Sequence, residues 1–508
     1  MLGSRMLRLV NTTMSSDDSP STPGKQAARL PARAAGPAST LSAELRMILA
    51  GIDSDNGRAL RRRPLSSAQR WKLGRSLRRR VPRKWLGQWK APTNRPDPIA
   101  QIRHSDKGRL ESLIPIRVGR MAASPYGFLR GAAVVMAEDV AHLPATGIML
   151  VACGDAHLGN FGFYASPEQD LVIDLNDFDE AHPGAWEWDL RRLVASIWVA
   201  GRQNGCRESQ CESSVASCVA AYRQVMRFLA DVPLLSRSYR RVDVDRLRET
   251  VRSKSLRNAI TRAAKRSRHH TCGRELPRYT TQRGRRIVSE PPLITRVPKA
   301  AAAHVAVGLN AYLTTLAPHW RRALANYTLV DIAHKVVGVG SVGLRAYIAL
   351  LQGGTANDVM FLQLKQARRS VLAPYVHGPS AWHAHQGQRV VEYEQALQTI
   401  SDPLLGWTTI EGLQYYVRQF RNMKGGVPLN AMDAAALSDY AAVVGHLLGK
   451  GHARTGRASA IAGYVGGSDQ LDQALCRFAR AYADQTEADH KLLLKAVARG
   501  VLPAEHGV

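Results

Sequence analysis

The stretch VACGDAHLGNFGFYASPEQDLVIDLNDFDEAHPGAWEWDL, residues 151–190, holds Asp155, Glu168, Asp170, Asp174, Asp177, Asp179, Glu180, Glu187 and Asp189 and no lysine or arginine. Widening the window back to Gly131 adds Glu138 and Asp139 and still no basic residue. The 508-residue chain as a whole carries a formal +29. Like charges gathered in a fold repel one another unless something positive meets them. Leu171, Val172, Ile173, Leu175 and Phe178 interleave with the acids, which a purely solvated acidic face would lack. The stretch therefore predicts an acidic cleft organised around divalent metal.

Its internal spacing sharpens that expectation. Residues 147–153, GIMLVAC, form a short apolar run that predicts a strand, and LVIDL (171–175) predicts a second. Asp155 and Asn160 lie five apart on the loop after the first strand. Phosphotransferases of the protein-kinase superfold use this spacing, with the Asp as base for the substrate hydroxyl and the Asn as a metal ligand. A carboxylate and an amide oxygen are hard donors suited to Mg²⁺ or Mn²⁺. LVIDLNDFDEA then delivers further aspartates. Asp177 is the first metal candidate, because the run from Asp177 to Asp189 looks like that of aminoglycoside-type kinases. There the first Asp holds metal and the last, ahead of a helix, braces the catalytic loop. Asp174 and Asp179 stand as alternatives. An N-terminal helix charge offers a second account of Asp189.

The texture changes after residue 330. Residues 334–367 contain apolar runs divided by glycines and predict three strands in an antiparallel meander. Gly338, Gly340 and Gly343 form G-x-G-x-x-G between two such strands, the geometry of a phosphate-covering loop and not of a dinucleotide fold, which needs a helix after the glycines. Lys365, in the apolar VMFLQLKQA, is the candidate for pairing the nucleotide phosphates. Glu392 on the next predicted helix (386–400) is its expected partner, with Glu394 the second choice. Strand-like Leu413–Phe420 and helical patterns over 437–449 and 469–498 complete the chain.

SPYGFLRGAA, CGDAHLGNFG, DLNDFDEAHPGAWEWDLRRLVAS, VGVGSVGLR, FLQLKQA, GQRVVE, YYVRQFRNMKG and GHARTG follow one another in this order. As a set they closely resemble a bacterial family of uncharacterised proteins, a domain of unknown function distantly similar to kinases, over roughly residues 75–500. Asn422 and Arg457 stand where relatives are expected to carry an acid. The resemblance implies an α+β, kinase-like fold of two lobes. Asp155, Asn160 and Asp177 precede the glycines and Lys365, the reverse of an ordinary kinase, so circular permutation is expected. The expected parts are a disordered basic extension over 1–75 and a helical lobe over 76–330 with a basic insert at about 231–300. A small β-rich lobe follows over 331–425, and helices over 426–508 complete the larger lobe.

Composition bounds the remaining choices. Residues 1–100 carry a net +14 and residues 231–300 a net +13, which leaves the body close to neutral. These basic segments admit nucleic-acid binding, but no recognisable nucleic-acid module accompanies them. The six cysteines form no C-x-x-C pair and fit reduced thiols in a cytoplasmic protein. No secretory signal or membrane-spanning run is evident. The expected function is an ATP- and Mg²⁺-dependent phosphotransferase acting on a small-molecule hydroxyl or amine. The alternatives are a nucleotide-binding pseudokinase or partner-binding module, and a metal-dependent phosphohydrolase.

Overall fold

The computed structural model describes residues 65–505 and 507, apart from 271–275, 277, 282–285, 337, 356–357, 377–382 and 421. Most of the expected 1–75 extension lies outside these residues. Its last part is a helix, Ser67–Ser76, with a capping box at Ser66. That helix presses on Ala458–Val465, and a Cβ on Gly74 would lie only 1.8 Å from the Ala460 carbonyl oxygen. The expected boundary at 75 therefore falls inside a packed helix.

The fold is mixed α and β. Two short antiparallel pairs bracket the acidic stretch. β1 (Met149–Ala152) pairs with β4 (His182–Ala185), and β2 (Phe161–Ala165) pairs with β3 (Leu171–Leu175). Helix α1 (Trp186–Gln203) starts directly after β4. Its buried residues run right round it, which is the signature of a helix in a core. Against it pack α2 (Glu208–Leu229), α6 (Ala434–Arg454) and α7 (Gln470–Ala498); α3 (Lys254–His269) packs on α6, and α4 (Lys299–Leu313) and α5 (Gln386–Leu397) pack on the sheet.

The second body is one antiparallel sheet of six strands. In spatial order these are β5 (Ile294–Arg296), β6 (Thr328–Lys335), β7 (Ala346–Gln352), β8 (Val359–Gln366), β10 (Leu413–Gln419) and β9 (Gly406–Ile410). Alternate residues serve opposite faces. Ile348, Leu350 and Phe361 meet Tyr279, Ile287 and Phe420 on one side. Ala349, Leu351, Leu362 and Leu364 meet Val305, Leu309 and Tyr312 on the other. Burial on both faces explains why these strands read as apolar runs.

This packing revises the expected division of the chain. The sheet begins at Ile294, and α4 covers one of its faces, so the β-rich body draws on residues well before 331. The basic insert is divided as well. Leu256, Ile260, Ala263 and Ala264 of α3 sit in the large helical core, while Tyr279 and Ile287 join the sheet. No helix among the described residues is long and apolar enough to cross a membrane.

Helices α2 and α6 meet at close range because α6 carries Gly445 and Gly449 on the shared face. A Cβ on Gly445 would lie 2.2 Å from the Cys218 carbonyl oxygen. Backbone cannot yield as a flexible side chain can, so Gly445→Ala is expected to lower stability by about 1–3 kcal/mol. Urea unfolding of the variant against wild type measures this, and an unchanged midpoint would contradict the close crossing.

Candidate functional site

The loop after β1 is held in place from behind. Asp189, in the first turn of α1, accepts hydrogen bonds from the backbone N–H groups of Cys153 (2.6 Å) and Gly154 (2.9 Å). His452 of α6 approaches the same carboxylate at 3.0 Å, and its other ring nitrogen meets the Tyr222 hydroxyl at 2.9 Å. Gly154 has φ +80° and lies against the Glu180 carbonyl, where a Cβ would come within 2.0 Å. Only glycine fits that left-handed, crowded position. The loop and the acidic turn after β3 are thereby locked together.

On the front of the loop, Asp155 pairs with Arg192 of α1 at 2.5 Å. Burial pushes the Asp155 carboxyl up to about 7, against the pull of Arg192 and with the help of Asp177 and Glu180. A carboxyl group poised near neutrality suits proton transfer. Asn160 ends the short helical turn Leu158–Asn160 and donates from Nδ2 to the Asp155 carbonyl oxygen at 2.6 Å. Its side-chain oxygen is left as an acceptor.

Strand register builds the facing wall. Tyr416 opposes Lys365 and Arg418 opposes Gln363 across β10 and β8, so all four side chains share one sheet face. Lys365 is buried (3 % exposed) and its amine reaches Asp177 at 3.7 Å and bonds Asp179. Burial alone would lower the Lys365 pKa, but Asp177 and Asp179 hold it above the usual lysine value. Asp179 also accepts from the Tyr416 hydroxyl (2.9 Å) and from the Ser341 hydroxyl (3.0 Å). Asp177 is the open member, with 39 % of its side chain exposed. Burial works against its charge, yet Lys365, Arg418 and Lys424 hold its carboxyl below the ordinary range.

The three candidate aspartates thus have different surroundings. Asp174 is buried and faces away, paired with Lys450 of α6 at 2.5 Å and bonded by the N–H groups of Leu175 and Thr399. It is a structural ion pair and cannot be a metal ligand in this arrangement. Asp179 is consumed by Lys365, Tyr416 and Ser341. Asp177 is left as the available carboxylate.

The glycine loop connects β6 to β7, strand to strand. Gly338 (φ +70°) and Gly343 (φ +87°) occupy left-handed backbone positions, whereas Gly340 does not. The loop lies on the helical body. Arg109 donates to the Val342 carbonyl at 2.6 Å, the Leu110 N–H to the Gly343 carbonyl at 2.8 Å, and Arg120 to the Gly338 carbonyl. Ser341 carries it to Asp179, so the loop and Lys365 converge on one carboxylate.

Glu392 does not meet Lys365. It pairs with His383 at 2.6 Å and Gln388 at 2.7 Å. The face of α5 turned to the acidic loop instead carries Arg389, which donates to the carbonyl oxygens of Asp179, Ala181 and Arg368. The helix forms where expected, but the Glu392 carboxylate is taken by His383 and Gln388 and not by Lys365. Glu394, the second choice, is buried and faces Arg418 and Lys424, with its pKa raised to about 7 by burial. Burial and the neighbouring Arg418 lower the Lys424 amine to about 7.

Arg192, Lys450, Tyr416 and Ser341 were not foreseen. A trace of one of them was present, since Arg192, beside Arg191, interrupts an apolar helix and must find a buried partner. Among the described residues, no group of three or more His, Cys, Asp or Glu is suited to a metal ion. The donors that remain open, Asp177 and the Asn160 side-chain oxygen, match Mg²⁺ only when phosphate oxygens and waters complete its shell, which is the usual habit of that ion.

Two outcomes are expected. Asp174→Ala strands the Lys450 ammonium and should cost roughly 3–5 kcal/mol in urea unfolding; a loss below ~1 kcal/mol would mean that the pair is not buried. Asp155 has a folded pKa above its ordinary 3.8, so the folded state retains a proton that the unfolded chain releases. Its contribution therefore favours folding at low pH and is lost as pH rises from about 4 to about 7. Relative to Asp155→Asn, wild type should lose stability across that window; parallel stability curves would refute the shift.

A family model for DUF2252, described as "Uncharacterized protein conserved in bacteria", matches residues 109–496. No curated protein and no solved structure was found to match the chain.

Proposed function

We propose that this chain, which belongs to the DUF2252 family of uncharacterised bacterial proteins, is a nucleoside-triphosphate- and Mg²⁺-dependent phosphotransferase acting on a small-molecule hydroxyl or amine. One observation carries the reading. Lys365, from the third strand of a run that opens with the glycine-loop hairpin, reaches Asp177 at 3.7 Å, although the two are far apart in sequence. A glycine loop between two strands, a lysine on the third strand and a metal-binding aspartate are the working parts of kinase-type phosphoryl transfer. A helix follows the lysine strand here as well. Because the Asp155 loop comes first in the chain, this reading carries circular permutation with it.

In this reading Asp155 accepts the proton of the acceptor group as its oxygen or nitrogen attacks the terminal phosphorus. The bond from that phosphorus to the bridging oxygen breaks, and the nucleoside diphosphate leaves with the electron pair. Asn160 and Asp177 would hold Mg²⁺, which supplies charge neutralisation to the phosphate oxygens. Lys365 turns from Asp179 to the phosphates, and the glycine loop covers them with backbone N–H groups. Asp189 and His452 keep the Asp155 loop in register. Arg192 holds the Asp155 carboxylate until the acceptor arrives. Phosphoryl transfer asks mainly for positioning and electrostatics, which this set of residues can provide.

The sequence points to ATP as donor, and the near-neutral body beside an acidic centre favours a small acceptor over a polyanion. Thermal unfolding with millimolar nucleoside triphosphate and Mg²⁺ tests the reading. Ligand at 100 times its Kd should add about 2.7 kcal/mol of stability. Asp177→Asn and Lys365→Ala should each remove that gain. If wild type shows no gain with either ATP or GTP, the phosphotransferase reading is wrong.

A further inference from the structure

The two basic segments of the sequence, 1–100 and 231–300, meet in the fold. Arg70, on the helix Ser67–Ser76, lies beside Arg237 of the short helix Leu234–Ser238, where burial, and after it the charge of Arg70, lowers the Arg237 pKa. Arg75, Arg78 and Arg83 also stand together, since Arg78 is lowered by burial and then by the charges of Arg83 and Arg75. Arg78 donates to the Tyr464 carbonyl oxygen and Arg83 to that of Val465, both at 2.7 Å. Arg227, near the end of α2, approaches the following turn, where a Cβ on Gly467 would lie 3.6 Å from its guanidinium. Residues 65–90 hold nine lysines and arginines and no acid. Among the described residues no carboxylate pairs with any of the nine. Arg241 marks the border of this basic face, since Glu168, Asp170 and Asp243 hold it. Asp231 and Asp469, both exposed, offset two of its charges.

The same elements carry apolar side chains that the fold leaves uncovered. Twelve large apolar side chains stand well exposed among the described residues, and seven of them fall within 65–85 and 234–239. Trp71, Leu73 and Trp85 are three of the seven, and the Arg75 guanidinium lies over the Trp71 ring at 5.6 Å. Leu235 (69 % exposed) and Tyr239 (77 % exposed) stand four apart, so they project on one side. Arg237, midway between them in sequence, turns inward and is buried. Exposed apolar groups scattered singly need no account, but a gathering of them beside unpaired cations marks an interaction surface.

We propose that this face is a peripheral docking surface for an anionic lipid bilayer, with the cations meeting lipid headgroups and the leucine, tryptophan and tyrosine side chains entering the interface. Clusters of lysine and arginine are drawn to anionic leaflets, and tryptophan and tyrosine settle at headgroup level with their apolar bodies inward. Leucines beside them add buried apolar area, so charge and burial act on the same side of the molecule. The charge sets aside a second copy of the chain as the occupant, since two such faces would repel each other. Nucleic acid would satisfy the cations and could stack on an aromatic ring, but it gives Leu73, Leu234 and Leu235 nothing to bury against. The lipid surface uses both halves of the pattern. The proposal is independent of the phosphotransferase reading, whose residues lie elsewhere.

Sedimentation of the full chain with sucrose-loaded vesicles tests it, comparing phosphatidylcholine alone with a phosphatidylcholine–phosphatidylglycerol mixture. The mixed vesicles should bind at low salt and release the protein as salt rises, and the neutral ones should bind far more weakly. Each cation at such a surface strengthens binding roughly fivefold, so Lys72→Ala with Arg75→Ala should weaken it about twentyfold. Leu235→Ser with Tyr239→Ser should weaken it by roughly tenfold or more. All four side chains are exposed, so both double variants should keep the wild-type unfolding midpoint. Val307→Ser, which removes an equally exposed apolar side chain from α4, should bind as wild type does. No binding to the mixed vesicles at low salt overturns the proposal. Binding that either double variant leaves unchanged overturns it as well, because that is the general attraction of a +29 chain. Duplex DNA that binds without vesicles doing so, weakened by the Lys72/Arg75 pair of substitutions and not by the Leu235/Tyr239 pair, assigns the face to nucleic acid instead.

Discussion

The fold depends on how the acidic segment is neutralised. Carboxylates crowded between residues 131 and 190 could not stay folded beside one another without positive partners, and the partners come from every other part of the chain. Arg95 pairs with Asp139, Arg192 with Asp155, Lys450 with Asp174 and Lys365 with Asp179, and a hydrogen bond joins His452 to Asp189. Each pair ties a different element to the same centre. Such buried pairs add little net stability, since desolvation offsets attraction, but removing one member is costly. They act as register pins between elements. The sequence predicts a divalent metal at this segment, and within the fold arginines and lysines of the chain already meet several of its carboxylates.

That arrangement explains why one carboxylate is different. Asp174, Asp179 and Asp189 are each enclosed by donors, whereas Asp177 is half open and meets its nearest cation only at 3.7 Å. An acid surrounded by Lys365, Arg418 and Lys424 is ionised and still has oxygen lone pairs to offer. Asp155 is tuned the other way, toward neutrality, by burial. Asp155 and Asp177 thus have opposed shifts, and the Cys153 thiol, two residues before Asp155, donates to the Asp177 backbone carbonyl oxygen.

Much of this was legible beforehand because it is local. The strands at 149–152 and 171–175, the helix at 186–203 and the meander through 366 follow from periodicity and glycine placement. The strand–glycine–strand order around Gly338–Gly343 was enough to set aside a dinucleotide fold. What failed was long-range. Glu392 is expected from its place after Lys365, but His383, nine residues before it, and Gln388 of the same helix take its carboxylate, while Arg389 reaches the acidic loop. The division at 331 failed because α4 joins the sheet only by packing.

The amino-acid sequence by itself determined the element types, the loop that presents Asp155 and Asn160, and the membership of its motifs in one bacterial family, since each depends on neighbours within a few residues. It placed Asp177 first but left Asp174 and Asp179 as alternatives, since the three sit within six residues on a strand and its following turn. Only the tertiary structure separated them, by bringing Lys450 to the first and Lys365, Tyr416 and Ser341 to the last. The physical reason is that a carboxylate's role is set by which charges and donors reach it through space, and those arrive from strands and helices hundreds of residues downstream.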